Sequence, residues 1–242
     1  LILVLIEISF FGNVMRRMRE SGEATLAAHE ASFSSIEMIR PLSFLISIAI
    51  FSSMAFIPTM MNRIYEPLFS LPKNVVLGLP IAAEMFFGGG GILIASNLLD
   101  KAGWKKMLYT GFLVLGAGLV ISGLADRALV LVIARSVAGF GSGFILMGLR
   151  CFVNTAPDFQ ARTQFYAQLN SGTIAGLNVG VIIGALLADN YGYATVFFLM
   201  VIIIALSYLF CLKFIKGRAQ KDMTVIAKSA SISTLRFFFD RK

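Results

Sequence analysis

Two ionisable side chains, Glu84 and Arg135, lie inside long apolar segments of the sequence. A charge within a lipid bilayer costs about 2.5 to 3.5 kcal/mol on insertion scales, so each side chain needs a partner or water. Glu84 lies eight residues after Val76 and Arg135 seven residues after Ala128, where their segments begin. A helix rises about 1.5 Å per residue, so both would lie about 11 to 12 Å from those ends. We therefore predict that they can form an ion pair, with proton coupling at Glu84 because pairing and desolvation compete there.

The sequence offers no set of residues suited to catalysis or metal binding. Its single histidine, His29, lies in a charged segment, and its two cysteines, Cys151 and Cys211, lie at or within apolar segments. One histidine cannot build a His-based metal site, and two such cysteines do not make a disulfide framework. No Ser/His/Asp set or pair of carboxylates shares one depth in the sequence pattern. We therefore predict no enzymatic activity, no metal and no cofactor.

The composition is that of a membrane protein. Of 242 residues, 57% are hydrophobic and 14% are charged, and the mean hydropathy is +0.82. Soluble globular proteins carry about 25% charged residues, so soluble enzymes and nucleic-acid-binding modules are excluded and the lipid bilayer is the expected partner. Segments of about 20 apolar residues span the bilayer as helices. The predicted spans are 42–62, 76–99, 107–125, 128–150, 165–188 and 194–215.

The basic residues predict the orientation of these spans, because Lys and Arg near helix ends are retained in the cytoplasm. The connections alternate between the two sides of the membrane. Those on one side hold 17 of the 21 basic residues, and those on the other hold three, which are Arg63, Lys73 and Arg127. The remaining one is Arg135, inside a span. The linker 15–40 and the tail 217–242 belong to the basic set. We therefore predict a multi-pass protein of the bacterial inner membrane with linker and tail in the cytoplasm. The net charge of +8 then reflects topology and not a nucleic-acid partner.

Glycines recur at helical spacing in two of the predicted spans. In the fifth span they follow every four residues, which places them on one helix face, where a neighbouring backbone can come close. This face serves either static packing or the sliding of helices during transport. The helix-packing glycines are Gly139, Gly143, Gly172, Gly176, Gly180 and Gly184.

The loop after the second span holds Asp100, Lys101, Gly103 and Lys105. Their spacing resembles a motif that is typical of the major facilitator superfamily. The family pattern is Gly-x-x-x-Asp-Arg-x-Gly-Arg-Lys between its second and third helices, and here Ser96 replaces the first glycine and Trp104 an arginine. The resemblance implies a latch, in which an acidic side chain at a helix end holds one conformer and releases another. The residues that match are Asp100, Lys101, Gly103 and Lys105.

Two further patterns support the same resemblance. Arg135 with Gly139 in the fourth span is similar to the family's Arg-x-x-x-Gly pattern, and the glycine-rich fifth span is similar to its fifth helix. The antiporter version of that helix has a Gly-Pro pair, whereas Val181 follows Gly180 here. This departure argues against drug-proton exchange.

The resemblance implies an all-α polytopic membrane bundle, the N-terminal half of a transporter built of 3+3 inverted repeats. The expected domains are 1–14, the end of a preceding transmembrane helix; 15–40, the linker; 41–216, six helices; and 217–242, a central-loop segment. The tail is either an amphipathic surface helix or a plain linker. A C-terminal six-helix half would be the missing partner.

The function that follows from this resemblance is secondary active transport of an unidentified small solute by alternating access. The alternative is a sensory receptor, in which the same bundle is joined to an N-terminal extracytoplasmic sensor domain through the helix at 1–14. The sequence upstream of Leu1 would separate the two, because a folded domain there would favour the receptor.

Overall fold

The computed structural model describes residues 26–68, 71–156 and 159–214. The predicted helix end at 1–14 and the tail 217–242 lie outside the described residues. The described part is all helical, with no strand. Its helices are α1 (Leu26–Phe51), α2 (Ile57–Arg63), α3 (Lys73–Ala102), α4 (Trp104–Gly123), α5 (Ala128–Asn154), α6 (Phe159–Tyr191) and α7 (Tyr193–Phe214).

Five helices, α3 to α7, are long and apolar enough to cross a bilayer. The apolar part of α1, Met38–Phe51, is shorter, and α2 continues it. The predicted all-α membrane bundle is therefore confirmed, with α1 and α2 together forming the first of six spans.

The first span is broken, although its sequence predicts one helix over 42–62. Between α1 and α2 the chain changes to tighter turns, in which the N–H of Met54 donates to Phe51 and the N–H of Phe56 to Ser53, at 3.1 and 3.2 Å. Pro58 explains the break, because a proline has no N–H to donate and its ring clashes with the carbonyl four residues earlier, that of Met54. The turn brings the ring of Phe56 into the bundle, where it is buried.

The first helix also begins earlier than the apolar pattern indicates. Its described part already includes Leu26, inside the predicted linker 15–40, and contains Pro41. Hydropathy marks only the lipid-crossing part of a helix and is blind to a polar extension beyond it. The helix therefore extends beyond the segment that crosses the membrane.

The helices pack as two related groups of three spans. Helix α5 lies between α3 and α4, α6 packs along α1, and α7 packs against α4 and α1. The two groups make equivalent contacts. The first span packs on the fifth as the fourth packs on the second. The first span also packs on the sixth as the fourth packs on the third. Three spans reverse the chain direction, so the second group is inverted relative to the first.

The tight turns follow the same repeat. Gly103 connects α3 to α4 with φ 77°, and Gly192 connects α6 to α7 with φ 84°. Left-handed backbone is strained for residues with a Cβ, so glycine is required at both places. The second and fifth spans thus end in equivalent glycine turns.

Candidate functional site

The structure brings Glu84 on α3 and Arg135 on α5 together. Arg135 Nε donates a hydrogen bond of 3.1 Å to Glu84 Oε2, and Arg135 Nη2 contacts Glu84 Oε1. Both side chains are shielded from solvent, with exposed fractions of 2% for Glu84 and 0% for Arg135. Buried charges are tolerated when they are paired in this way. The two charges of the apolar segments therefore meet as one buried ion pair.

Close backbone packing of α3 and α5 makes this pairing possible. A Cβ built on Gly139 would meet the carbonyl oxygen of Glu84, and one built on Gly143 would meet that of Gly88. Both glycines belong to the face of α5 that lies on α3. Their missing side chains allow the approach that puts Arg135, one turn before Gly139, beside the carboxylate.

The guanidinium of Arg135 has a second neighbour, the ring of Phe197 on α7. Its Cζ lies 5.9 Å from the ring centroid, and Phe197 has no exposed surface. Among the described residues, Nη1 of Arg135 has no hydrogen-bond partner. Sequence reasoning missed Phe197 as a partner of this cation.

Further aromatic contacts connect Phe197 to Arg63, the last residue of α2. Phe56 packs edge-on against Phe197, with centroids 5.4 Å apart, and stacks on Tyr193 at 5.3 Å with an interplanar angle of 12°. Arg63 lies over the other end of this row, with its Cζ 4.8 Å from the Tyr193 centroid. We call Phe56, Tyr193 and Phe197 the aromatic row. The sequence shows only that Tyr193 and Phe197, four residues apart, share one helix face.

A cavity of about 370 Å³ lies beside the ion pair. Its walls come from α1 and α3 of the first repeat and from α5 and α6 of the second, and most lining side chains are apolar. Glu84 lies at one end of it, because the lining of α3 continues from there to Ile92 and that of α5 runs from Ser142 to Leu149. The polar lining residues are Ser43, Ser47, Glu84, Ser142 and Thr173.

The glycine stripe of α6 lies against α1. Cβ atoms built on Gly172, Gly176 and Gly184 would meet carbonyl oxygens of Arg40, Phe44 and Ser52, respectively. One built on Gly180 would lie 3.0 Å from the Cα and the carbonyl oxygen of Ile48. The first and fifth spans therefore touch through their backbones, as the fourth and second do.

The predicted latch loop forms the junction of α3 and α4. Gly103 provides the turn, and Lys105 Nζ lies 5.8 Å from the ring centroid of Trp104, which packs on Phe152 at 5.0 Å. The side chains of Asp100 and Lys101 lie outside the described part of the chain. The latch role stays a prediction.

The family model of the Major Facilitator Superfamily matches residues 41–242. The chain belongs to the major facilitator superfamily. Membership agrees with the helical bundle of a multi-pass membrane protein. The receptor alternative is not favoured. Members of this superfamily are carriers, which fits the predicted lack of enzymatic chemistry.

Relatives within the superfamily include three proteins with related names. The "Multidrug resistance protein MdtG" of Proteus mirabilis is 25% identical over 169 residues, which cover 70% of this chain and 41% of the relative. The protein of that name from Enterobacter lignolyticus is 27% identical over 147 residues, 61% of this chain and 35% of the relative. The "Major facilitator superfamily multidrug transporter mfsC" of Aspergillus fumigatus is 30% identical over 136 residues, 55% and 26% of the two chains. The matched region thus spans less than half of each relative.

Proposed function

We propose that the chain forms a six-span half of a secondary transporter that moves a small organic solute by alternating access. The cavity carries this proposal, because its walls come from the first and second spans of one repeat and the equivalent spans of the other. Transporters of this type bind their solutes at the interface of such repeats. A second six-helix half would close the cavity from the opposite side.

The cavity lining favours an amphipathic organic solute. A pocket for a drug-sized molecule is typically about 300 to 1,000 Å³ and mostly apolar with a few polar groups. The cavity of about 370 Å³ has hydroxyl groups from α1, α5 and α6 and one carboxylate, that of Glu84. The names of the relatives, which refer to multidrug resistance or transport, favour the same class. We therefore assign amphipathic compounds as the solutes and the bacterial inner membrane as the location.

We also propose the ion pair of Glu84 and Arg135 as the site of ion coupling. Glu84 is the one charged group among the described cavity-lining residues, so it is the place where a proton reaching the cavity would bind. Arg135, which is not among the described lining residues, holds this carboxylate. The proposal does not depend on the antiporter pattern of α6, because Val181 stands where that pattern has proline.

A transport assay tests the function. The complete reading frame that encodes this chain is expressed in bacteria that lack their own drug exporters, and the accumulation of ethidium and of the neutral dye Nile red is measured. We expect lower accumulation of at least one dye than in cells with an empty vector, and for Glu84→Gln an accumulation that no longer changes with external pH. If the protein is present in the membrane and its cells accumulate as much of each dye as the vector cells do, export of amphipathic solutes is contradicted.

The orientation is tested by cysteine labelling after Cys151 and Cys211 are replaced with serine. A cysteine at Asn74, which is exposed beside the start of α3, should react in intact cells with an impermeant maleimide. A cysteine at Ala102 should react only after the cells are opened, since 17 basic residues predict the cytoplasm for that side. Labelling of Ala102→Cys in intact cells would reverse the whole arrangement.

The latch is tested by Asp100→Asn in the complete protein. The substitution removes a charge at the membrane surface, so insertion and expression should stay at the wild-type level while the transport rate falls several-fold. Lys106→Gln is the matched control, because it changes a neighbouring charge outside the proposed latch. Transport by Asp100→Asn at the wild-type rate would show that the loop only sets topology.

A further inference from the structure

The cation of Arg135 lies between two groups that can hold it. On one side is the Glu84 carboxylate, and on the other is the ring of Phe197, whose centroid is 5.9 Å from Cζ. A guanidinium within about 6 Å of a ring centroid is attracted by the negative ring face, and the attraction grows when both partners are out of water. Arg135 and Phe197 are both fully buried, so this contact is completely desolvated.

Two neighbours pack against Phe197. Phe56 packs against it edge-on at 5.4 Å, and Phe56 is itself stacked on Tyr193. The backbone of Gly123 at the end of α4 comes close, since a Cβ built there would lie 3.3 Å from Cβ of Phe197. The ring is therefore a buried neighbour of the guanidinium that is packed on both the α2 and the α4 sides.

We propose that Phe197 is a positioning residue that keeps Arg135 in its buried place whenever the charge of Glu84 is removed. Without the carboxylate, a buried guanidinium keeps only the partners that remain, and an unpaired cation destabilises the bundle. Nη1 has no hydrogen-bond partner in the described part of the chain, so the ring is the partner that the geometry leaves. Arg135 would thus stay beside Glu84, ready to bind the carboxylate again.

The break in the first span gives this role a structural origin. An unbroken helix over 42–62 would continue through the turn at Ser52 to Phe56, whereas the break places Phe56 against Phe197. The aromatic row then runs from the buried cation to Arg63 at the end of α2. The inference deepens the proposed ion-coupling role of the pair, but its test measures stability and needs no transport.

The test is a double-mutant cycle on the complete protein purified in detergent. The apparent melting temperature is measured for the wild type, Glu84→Gln, Phe197→Leu and the combination of the two. Leucine fills much of the space but has no ring face. We expect the combination to lose several degrees more than the sum of the single losses, and Phe197→Tyr, which keeps the ring, to remove that excess in the Glu84→Gln protein.

Two controls make the cycle specific. Phe198→Leu changes the adjacent, partly exposed ring and should add to Glu84→Gln without excess. In an Arg135→Met background the excess loss should vanish, because no cation is left for the ring to hold. Additive losses for Glu84→Gln with Phe197→Leu, or an excess that persists in the Arg135→Met background, would overturn the proposal.

The proposal can still be tested if the protein with both Glu84→Gln and Phe197→Leu cannot be purified. The Glu84→Gln protein with Phe197→Tyr must then be recovered at the yield of Glu84→Gln alone, while the protein with Phe197→Leu is lost. Loss of both would show that any change at this position disrupts packing, and the proposal would fail.

Discussion

Replacing Gly184 with leucine will separate α6 from α1 and prevent a stable fold. A Cβ at this position would overlap the carbonyl oxygen and carbon of Ser52, and backbone atoms cannot move aside as a flexible side chain can. Overpacking usually costs about 1 to 3 kcal/mol, and a clash with backbone belongs at or above the upper end of that range. We expect most of the variant to be aggregated when size-exclusion chromatography in detergent is used to measure the folded fraction.

Gly116→Leu is the matched control for this substitution. It makes the same change within a membrane-spanning helix, but a Cβ built at Gly116 meets no atom within 4 Å. The control should elute as the wild type does and melt within a few degrees of it. A Gly184→Leu protein that behaves like Gly116→Leu would show that the stripe of α6 faces lipid and does not contact α1.

Removing the cation of the buried pair will have the second large effect. Arg135→Ala leaves the carboxylate of Glu84 buried without its partner, and breaking a buried pair on one side costs about 3 to 5 kcal/mol. Arg135→Lys keeps the positive charge but loses the two-pronged contact of Nε and Nη2 with the carboxylate. We expect Arg135→Ala to lower both stability and transport more than Arg135→Lys does.

The partner substitution separates stability from coupling. Glu84→Gln keeps the size of the side chain and removes its charge. The variant should fold, and the dependence of transport on external pH should disappear, since the proposed proton-binding group is gone. The measurements are apparent melting temperature and initial transport rate across a pH series. An unchanged pH profile for Glu84→Gln would remove the coupling role and leave a structural ion pair.

The glycine contacts that pack the helices also border the cavity of the proposed transport path. Glycines on α5 and α6 bring the fourth span against the second and the fifth against the first, at equivalent places in the two repeats. The cavity lies between these two backbone contacts, and Glu84 reaches it from one of them. A charge change at Glu84 therefore acts where the packed helices and the proposed solute path meet.

Much of this architecture was predictable because lipid imposes simple rules on sequence. The spans followed from segments of about 20 apolar residues, and Gly103 followed from the loop pattern. Counting residues inward from Val76 and Ala128 gave Glu84 and Arg135 equal depth, and thus a possible ion pair, since rise per residue is constant in a helix. These features depend on local periodicity and on depth, which a sequence displays directly.

The break before Pro58 and the contact of Phe197 with Arg135 were not predicted, for a different physical reason. Hydropathy over 42–62 is as high in two short helices as in one, so the break leaves no trace in it. Phe197 lies in a very apolar helix, where lipid-facing and buried rings look alike in sequence. Its role depends on Phe56, 141 positions earlier in the chain, and so only the packed structure shows it.

The most direct test of alternating access is the reactivity of a cysteine placed at Ser142, on the cavity wall. In a protein without Cys151 and Cys211, an impermeant maleimide is applied to right-side-out and to inside-out membrane vesicles. We predict modification from both sides, because a cavity with alternating access would open to each in turn, with the ratio of the two rates altered by Glu84→Gln. Modification from one side only, at the same rate in both proteins, would contradict a cavity that alternates between the two faces of the membrane.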